Sequence, residues 1–211
     1  MRDETKGMPR EHVLEIISAV LLSLATVASA WSAYQATRWS GVQAIKFSEA
    51  SAIRTEATRK TNIAAQLVGV DVGMFVQYAT AITQNNKMLA DFLFQRFRPE
   101  FKKAVEKWLN TKPLKNSNAP ASPFKMKEYS IKEMQESQKL ISKAQQSFEK
   151  AKNANQTGDN YVLLTVLFAS VLFFAGVGTK FQLFKLKVIM LSFGLIIFTI
   201  ALMVLFSFPV H

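Results

Sequence analysis

Three stretches of this 211-residue chain contain no Asp, Glu, Lys, Arg or His: Ile16 to Thr37, Asn160 to Thr179, and Val188 to Pro209. Each runs to about 20 residues or more, and at about 1.5 Å of rise per residue a helix of that length matches the ~30 Å hydrocarbon core of a bilayer. Lipid offers a peptide group no hydrogen bond, so a single segment crosses it economically only as a helix. The pattern predicts an all-α integral membrane protein with three transmembrane helices and membrane lipid as its first partner.

The remaining sequence has a different composition. The chain is 49% hydrophobic, and that content sits mainly in the three runs; the intervening segment is rich in Lys, Glu, Gln, Asn and Ala. The expected organisation is a cytoplasmic tail (1–15), a first membrane helix (16–37), an extracytoplasmic helical domain (38–159) with a tip linker (112–124), a second membrane helix (160–179), a cytoplasmic loop (180–187) and a third membrane helix (188–209). An extramembrane helical hairpin or bundle would thus lie between the first two spans. Orientation follows the densest basic cluster, Lys180, Lys185 and Lys187, which should face the cytoplasm together with Arg2, Lys6 and Arg10. Ala28-Ser29-Ala30 resembles a signal-peptidase site, but the apolar run continues through Trp31, Ser32, Ala33 and Tyr34, which favours an uncleaved signal anchor.

From Ile16 to Gln66 there is no proline and one glycine, Gly41, so the first helix should continue beyond the apolar run. Trp31, Tyr34 and Trp39 would anchor it at the membrane interface, with Tyr161 doing the same for the second helix. Leu67 to Phe97 should form the core of the external domain. Within it Gly69 and Gly73, four residues apart, are candidates for close helix packing, and Asp71 is an acid flanked by apolar residues that calls for a Lys or Arg partner or for solvent. Asn85-Asn86 weakens the helical pattern and Arg98-Pro99 breaks it; a short amphipathic helix, Pro99 to Leu109, should bury Phe101, Val105, Trp108 and Leu109. Pro113, Pro120 and Pro123 among Asn, Ser and Lys mark a linker. Ser130 and Glu133 form a capping-box pattern ahead of a returning helix, with surface pairs Glu136–Lys139 and Glu149–Lys152. Gly158-Asp159-Asn160 predicts a break or a tight passage before Tyr161 and the second span.

Inside the membrane, Ala25, Ser29, Ala33 and Thr37 recur every four residues on the first helix, a small-residue line suited to close packing, with Ala169, Gly176 and Gly194 as partners on the other two. No charged group lies at mid-membrane depth, which counts against an ion-coupled transporter.

Two stretches, AWSAYQATRWSG (Ala30 to Gly41) and GDNYVLLTVLFASVLFFAG (Gly158 to Gly176), with RFRPEF (Arg96 to Phe101), resemble a family of uncharacterised bacterial inner-membrane proteins with three transmembrane helices and a long helical insert between the first two. The resemblance spans the whole architecture and implies that topology, a multi-pass inner-membrane location and a periplasmic 38–159 segment. It carries over no reaction, cofactor or catalytic residue.

Catalysis finds little footing in the residues themselves. There is no cysteine, and the two histidines, His12 and His211, lie near opposite ends of the chain. No phosphate loop, HExxH or nucleophile-elbow pattern occurs. The expectation is therefore no enzyme, no catalytic residue, no cofactor and no metal. Residues 38 to 159 hold 20 Lys and Arg against 11 Asp and Glu, or +9 of the chain's +11. That excess suits anionic headgroups or an acidic partner better than nucleic acid, because the basic residues are scattered and no nucleic-acid signature appears. Three functions fit. The first is a non-enzymatic structural or accessory subunit, a homo-oligomer or a component among other membrane subunits. The second is a sensor or ligand-binding module with a pocket near Phe75, Tyr78 and Trp108. The third is a pore made by oligomerisation.

Overall fold

The computed structural model describes residues 10–113 and 115–211. The fold is all-α, 84% helical, with no strand among the described residues. Among the described residues five helices follow in order, α1 (Arg10–Thr83), α2 (Lys87–Gln95), α3 (Pro99–Asn110), α4 (Lys132–Gly178) and α5 (Phe184–Ser207), with a 3-10 turn at Pro123–Lys125. Residues 1–9 of the expected tail lie outside the described part. Three helices, α1, α4 and α5, are long and apolar enough to cross a membrane. Only 22%, 33% and 22% of their most apolar stretches is buried within the chain, so most of that apolar surface needs another cover.

The chain divides into two compact units, one formed by Met1–Ser48 and Ser147–His211, the other by Glu49–Gln146. In the first, buried positions recur at alternating steps of three and four: Leu21, Ala25, Ala28, Ser32 and Gln35 on α1; Tyr161, Leu164, Phe168, Val171 and Ala175 on α4; and on α5 Leu191, Gly194, Ala201 and Leu205, with half-buried Phe198 filling the step between Gly194 and Ala201. This is the heptad seam by which helices interlock over long lengths. It decides between the two expectations for Gly158, a break or a tight passage, in favour of the second. Gly158 does not break α4, which is helical throughout Lys132–Gly178. Gly158 sits on the seam between Ala154 and Tyr161, where α1 comes close: a Cβ built there would lie 3.6 Å from the Ala36 carbonyl oxygen and 3.7 Å from Trp39 Cβ. Packing supplies what the local Gly-Asp-Asn composition withholds.

The second unit packs α2, α3 and the chain around the 3-10 turn against the carboxyl-terminal part of α1. Its apolar cluster joins Tyr78, Ala81, Ala90, Leu93, Phe97, Phe101 and Val105, with Phe75, Phe94, Phe124 and Tyr129 against it. Ala57 and Ala64 on α1 are buried, and the Ser137 hydroxyl of α4 donates to the Ala57 carbonyl (3.0 Å). Lys60 donates to Glu136. Glu136 thus pairs with Lys60 and, at 3.7 Å, with Lys132, rather than with the Lys139 expected from helical spacing.

The turn between α1 and α2 is built by the asparagines. Asn85 adopts φ 56°, its N–H donating to the Ile82 carbonyl while that of Asn86 reaches the Ala81 carbonyl, a left-handed helix stop. The Asn86 side chain then caps α2 by accepting from Leu89 N at 3.1 Å.

Candidate functional site

Two polar constellations and one cleft stand out. The first constellation is centred on Asp71, 1% exposed on α1. Arg98, in the extended residue just before Pro99, donates Nη2 to Asp71 Oδ2 at 2.7 Å and Nε to both carboxylate oxygens at 3.2 and 3.3 Å. The Tyr129 hydroxyl donates to Oδ2 at 3.1 Å. A buried carboxylate persists only with such partners. Burial, followed by the Asp71 charge and hydrogen bond, pushes the Tyr129 phenol up to about 12. The hydrogen bond to Asp71 is the first cause raising the Arg98 guanidinium above its ordinary value. This triad ties α1, the start of α3 and the chain before α4 together.

One turn beyond Asp71, Phe75 stands among aromatic neighbours, edge-on to Trp108 (5.5 Å), Phe124 (5.7 Å) and Phe101 (6.2 Å). Here opens a cleft of about 470 Å³, lined by Phe75, Tyr78, Ala79, Ile82 and Thr83 from α1, Trp108 and Leu109 from α3, and Lys112, Pro113 and Lys115 beyond it. Trp108 is oriented by its indole N–H, which donates to the Pro120 carbonyl at 2.6 Å. The lining is mostly apolar, and the charged residues among those lining it are two lysines, with no Asp or Glu. A second hollow shares Tyr78, Ile82 and Leu109 and adds Asp91 and Lys87. Of the residues expected to be buried on α3, Phe101 and Val105 are, whereas Trp108 is half-buried and Leu109 exposed, because those two form a cleft wall.

The second constellation lies in the other unit. Gln35, fully buried on α1, accepts from His211 N (3.0 Å) and donates to the His211 carbonyl (3.3 Å). Trp39 Nε1 and the Tyr161 hydroxyl both donate to the Pro209 carbonyl, at 3.1 and 3.2 Å. Tyr161 therefore sits fully buried in the seam, and Trp39 is half-buried, while Trp31 and Tyr34 are exposed with rings 5.8 Å apart.

The small-residue line divides. Ala25 is fully buried, Ser29 half-buried and Ala33 exposed. A strict four-residue repeat drifts about 40° per step around a helix of 3.6 residues per turn, so it leaves the seam within two steps. The hydroxyls of Ser23, Thr26, Ser32 and Thr37 each donate to the carbonyl four residues earlier, so none of these bonds links two helices. Gly69 and Gly73 are exposed and Gly176 half-buried, all three with open space where a Cβ would stand; Gly194 instead lies against Leu21 and Phe174. Among the described residues no cluster of three His, Asp or Glu side chains could hold a metal ion.

No protein family, curated protein or solved structure matches the chain.

Proposed function

We propose that this chain is a membrane-anchored, non-enzymatic ligand-binding module, with three helices in the bilayer and residues 49–146 forming a helical lobe that holds a small molecule. The observation that carries this reading is the cleft bounded by Phe75, Tyr78 and Trp108. Its volume lies within the few-hundred to about 1,000 Å³ range of ligand sites, and its apolar lining with a few polar groups has their usual character. Thermal unfolding of the detergent-solubilised protein against a library of apolar and amphipathic small molecules tests it. A dose-dependent upward shift that disappears in Thr83→Trp, which puts a large ring at a residue lining the cleft, is the expected result; no shift for any compound refutes the reading.

The accessory-subunit reading has an observation of its own. Between Thr61 and Thr83 the sole charged residue is Asp71, which is buried, so Asn62, Ala65, Gly69, Val72, Gly73, Val76 and Thr80 make an exposed face without charge. Soluble helices normally keep such a face charged. Cysteine cross-linking at Gly69 and Gly73 in native membranes, with light scattering of the purified protein, tests it; a monomer without cross-links counts against it.

The orientation proposed with both readings puts the amino terminus and the Lys180 connection in the cytoplasm, and 38–159 in the periplasm of a bacterial inner membrane. It rests on the positive-inside bias and on the family resemblance. Impermeant labelling that finds Lys180 and Pro120 in one compartment overturns it.

A further inference from the structure

We infer that the cleft's occupant is a free single-chain amphipathic carboxylate, an acyl chain lying along Phe75, Ile82 and Trp108 with its head between Lys112 and Lys115. The inference rests on the ligand-binding reading above and adds the chemical class.

Three observations favour an anionic amphiphile, of which a single-chain carboxylate is the simplest. The walls are mostly apolar, so they favour an apolar body and give a sugar or nucleotide too few partners. The charged groups at the cleft are two lysines, without a carboxylate among the lining residues, which complements one negative head and repels a cation. Lys112 also holds an unusual backbone conformation, φ 52°, at the position after the α3 C-cap where glycine is ordinarily found. Its N–H donates to the Leu109 carbonyl there, so the conformation serves the helix stop, and glycine would serve it with less strain. A lysine at that place supplies charge at the cleft's edge that the turn itself does not require.

The same conformation separates binding from folding. Lys112→Gly should leave the unfolding temperature unchanged or higher while weakening the anion, because the backbone relaxes and the ammonium is lost. Lys115→Gln, at an exposed position, removes the second charge.

The probe is dansyl-undecanoic acid, compared with its neutral methyl ester, titrated onto the full chain in phosphatidylcholine nanodiscs and read by dansyl emission. The expected result is saturable binding of the acid and about tenfold weaker binding of the ester, since a charge-assisted contact contributes on that order. Each lysine substitution should weaken the acid several-fold and leave the ester unchanged, while Thr83→Trp abolishes both. Equal binding of acid and ester, both blocked by Thr83→Trp, overturns the carboxylate assignment and leaves the cleft as a ligand site. Binding indifferent to Thr83→Trp, or none, overturns both. Displacement of the acid by phosphatidylglycerol in the disc assigns the site to bilayer lipid and overturns a free acid.

Discussion

Replacing Arg98 by Met removes three of the four hydrogen bonds that the Asp71 carboxylate accepts and leaves the Tyr129 hydroxyl as its remaining partner among them. Asp71 is 1% exposed, so water cannot take the place of the guanidinium without local opening. Stripping one partner from a buried ion pair costs about 3–5 kcal/mol. The Arg98 side chain is itself 25% exposed, so some solvation reaches the pair and the lower end, about 3 kcal/mol, is the working figure. The double variant Asp71→Leu, Arg98→Met removes both charges and should recover most of that loss, because the penalty arises from the orphaned charge rather than from the lost attraction. Hydrogen exchange of peptides covering α3, residues 99–110, reads the opening free energy locally in the full-length protein. The reasoning fails if Arg98→Met lowers protection by less than about 1 kcal/mol, or if the double variant is as unstable as the single one.

Other outcomes follow from the same geometry. The Tyr129 phenol is raised to about 12, so the folded lobe keeps a proton that the unfolded chain releases near pH 10; stability is fully present below that value and is lost as pH rises from about 10 to 12. Tyr129→Phe should flatten this alkaline limb in a series of melts against pH. Gly158→Ala should stabilise by about 0.5–1 kcal/mol, because a Cβ there meets only ordinary contacts at 3.6 Å and beyond and alanine is the better helix former; a lower melting temperature would contradict it. Gln35→Leu deletes both bonds to the His211 backbone, so maleimide labelling of a cysteine placed at Val210 should accelerate, and unchanged labelling would show that Trp39 and Tyr161 hold the segment without it.

What could be read from the sequence was whatever lipid-length apolar runs and turn chemistry write locally. The long helices, the interruption at Asn85-Asn86 and the start of α3 at Pro99 are of this kind. The three aromatics named for a pocket, Phe75, Tyr78 and Trp108, do line one cleft, although Trp108 comes from a different helix and only the fold brings it to the other two. The rest depends on partners distant along the chain. Arg98 reads locally as the residue before a proline, and nothing near it announces Asp71, 27 residues away. Gln35 could have been noticed as a lone amide in an uncharged run, but its partner, His211, lies 176 residues off. At Gly158 local composition leaves a break and a tight passage equally open, and only the seam with α1 decides for the passage. Lys112 and Lys115 left no mark among the many lysines of the segment.

Why the cleft stays open is the remaining physical question, for Ile82 and Leu109 are exposed there and apolar walls ordinarily close on each other. The answer lies in polar ties set outside the space they define. The Trp108 indole is held by the Pro120 carbonyl, the left-handed stop at Asn85 ends α1 where the lining ends, and Asn86 fixes the first turn of α2 beside it. On the far side of Phe75, the Asp71–Arg98–Tyr129 triad fixes the α1 turn on which that ring stands. These ties hold the backbone around the cleft, so on the ligand-binding reading proposed above a ligand would not have to supply the free energy of ordering it. Trp108→Phe tests this, because it keeps an aromatic ring in the wall, though a smaller one, and removes the indole donor. Hydrogen exchange should rise in the 108–120 segment and affinity for an amphipathic probe should fall several-fold. Unchanged affinity with raised exchange would mean that the ligand, rather than the fold, shapes the cleft.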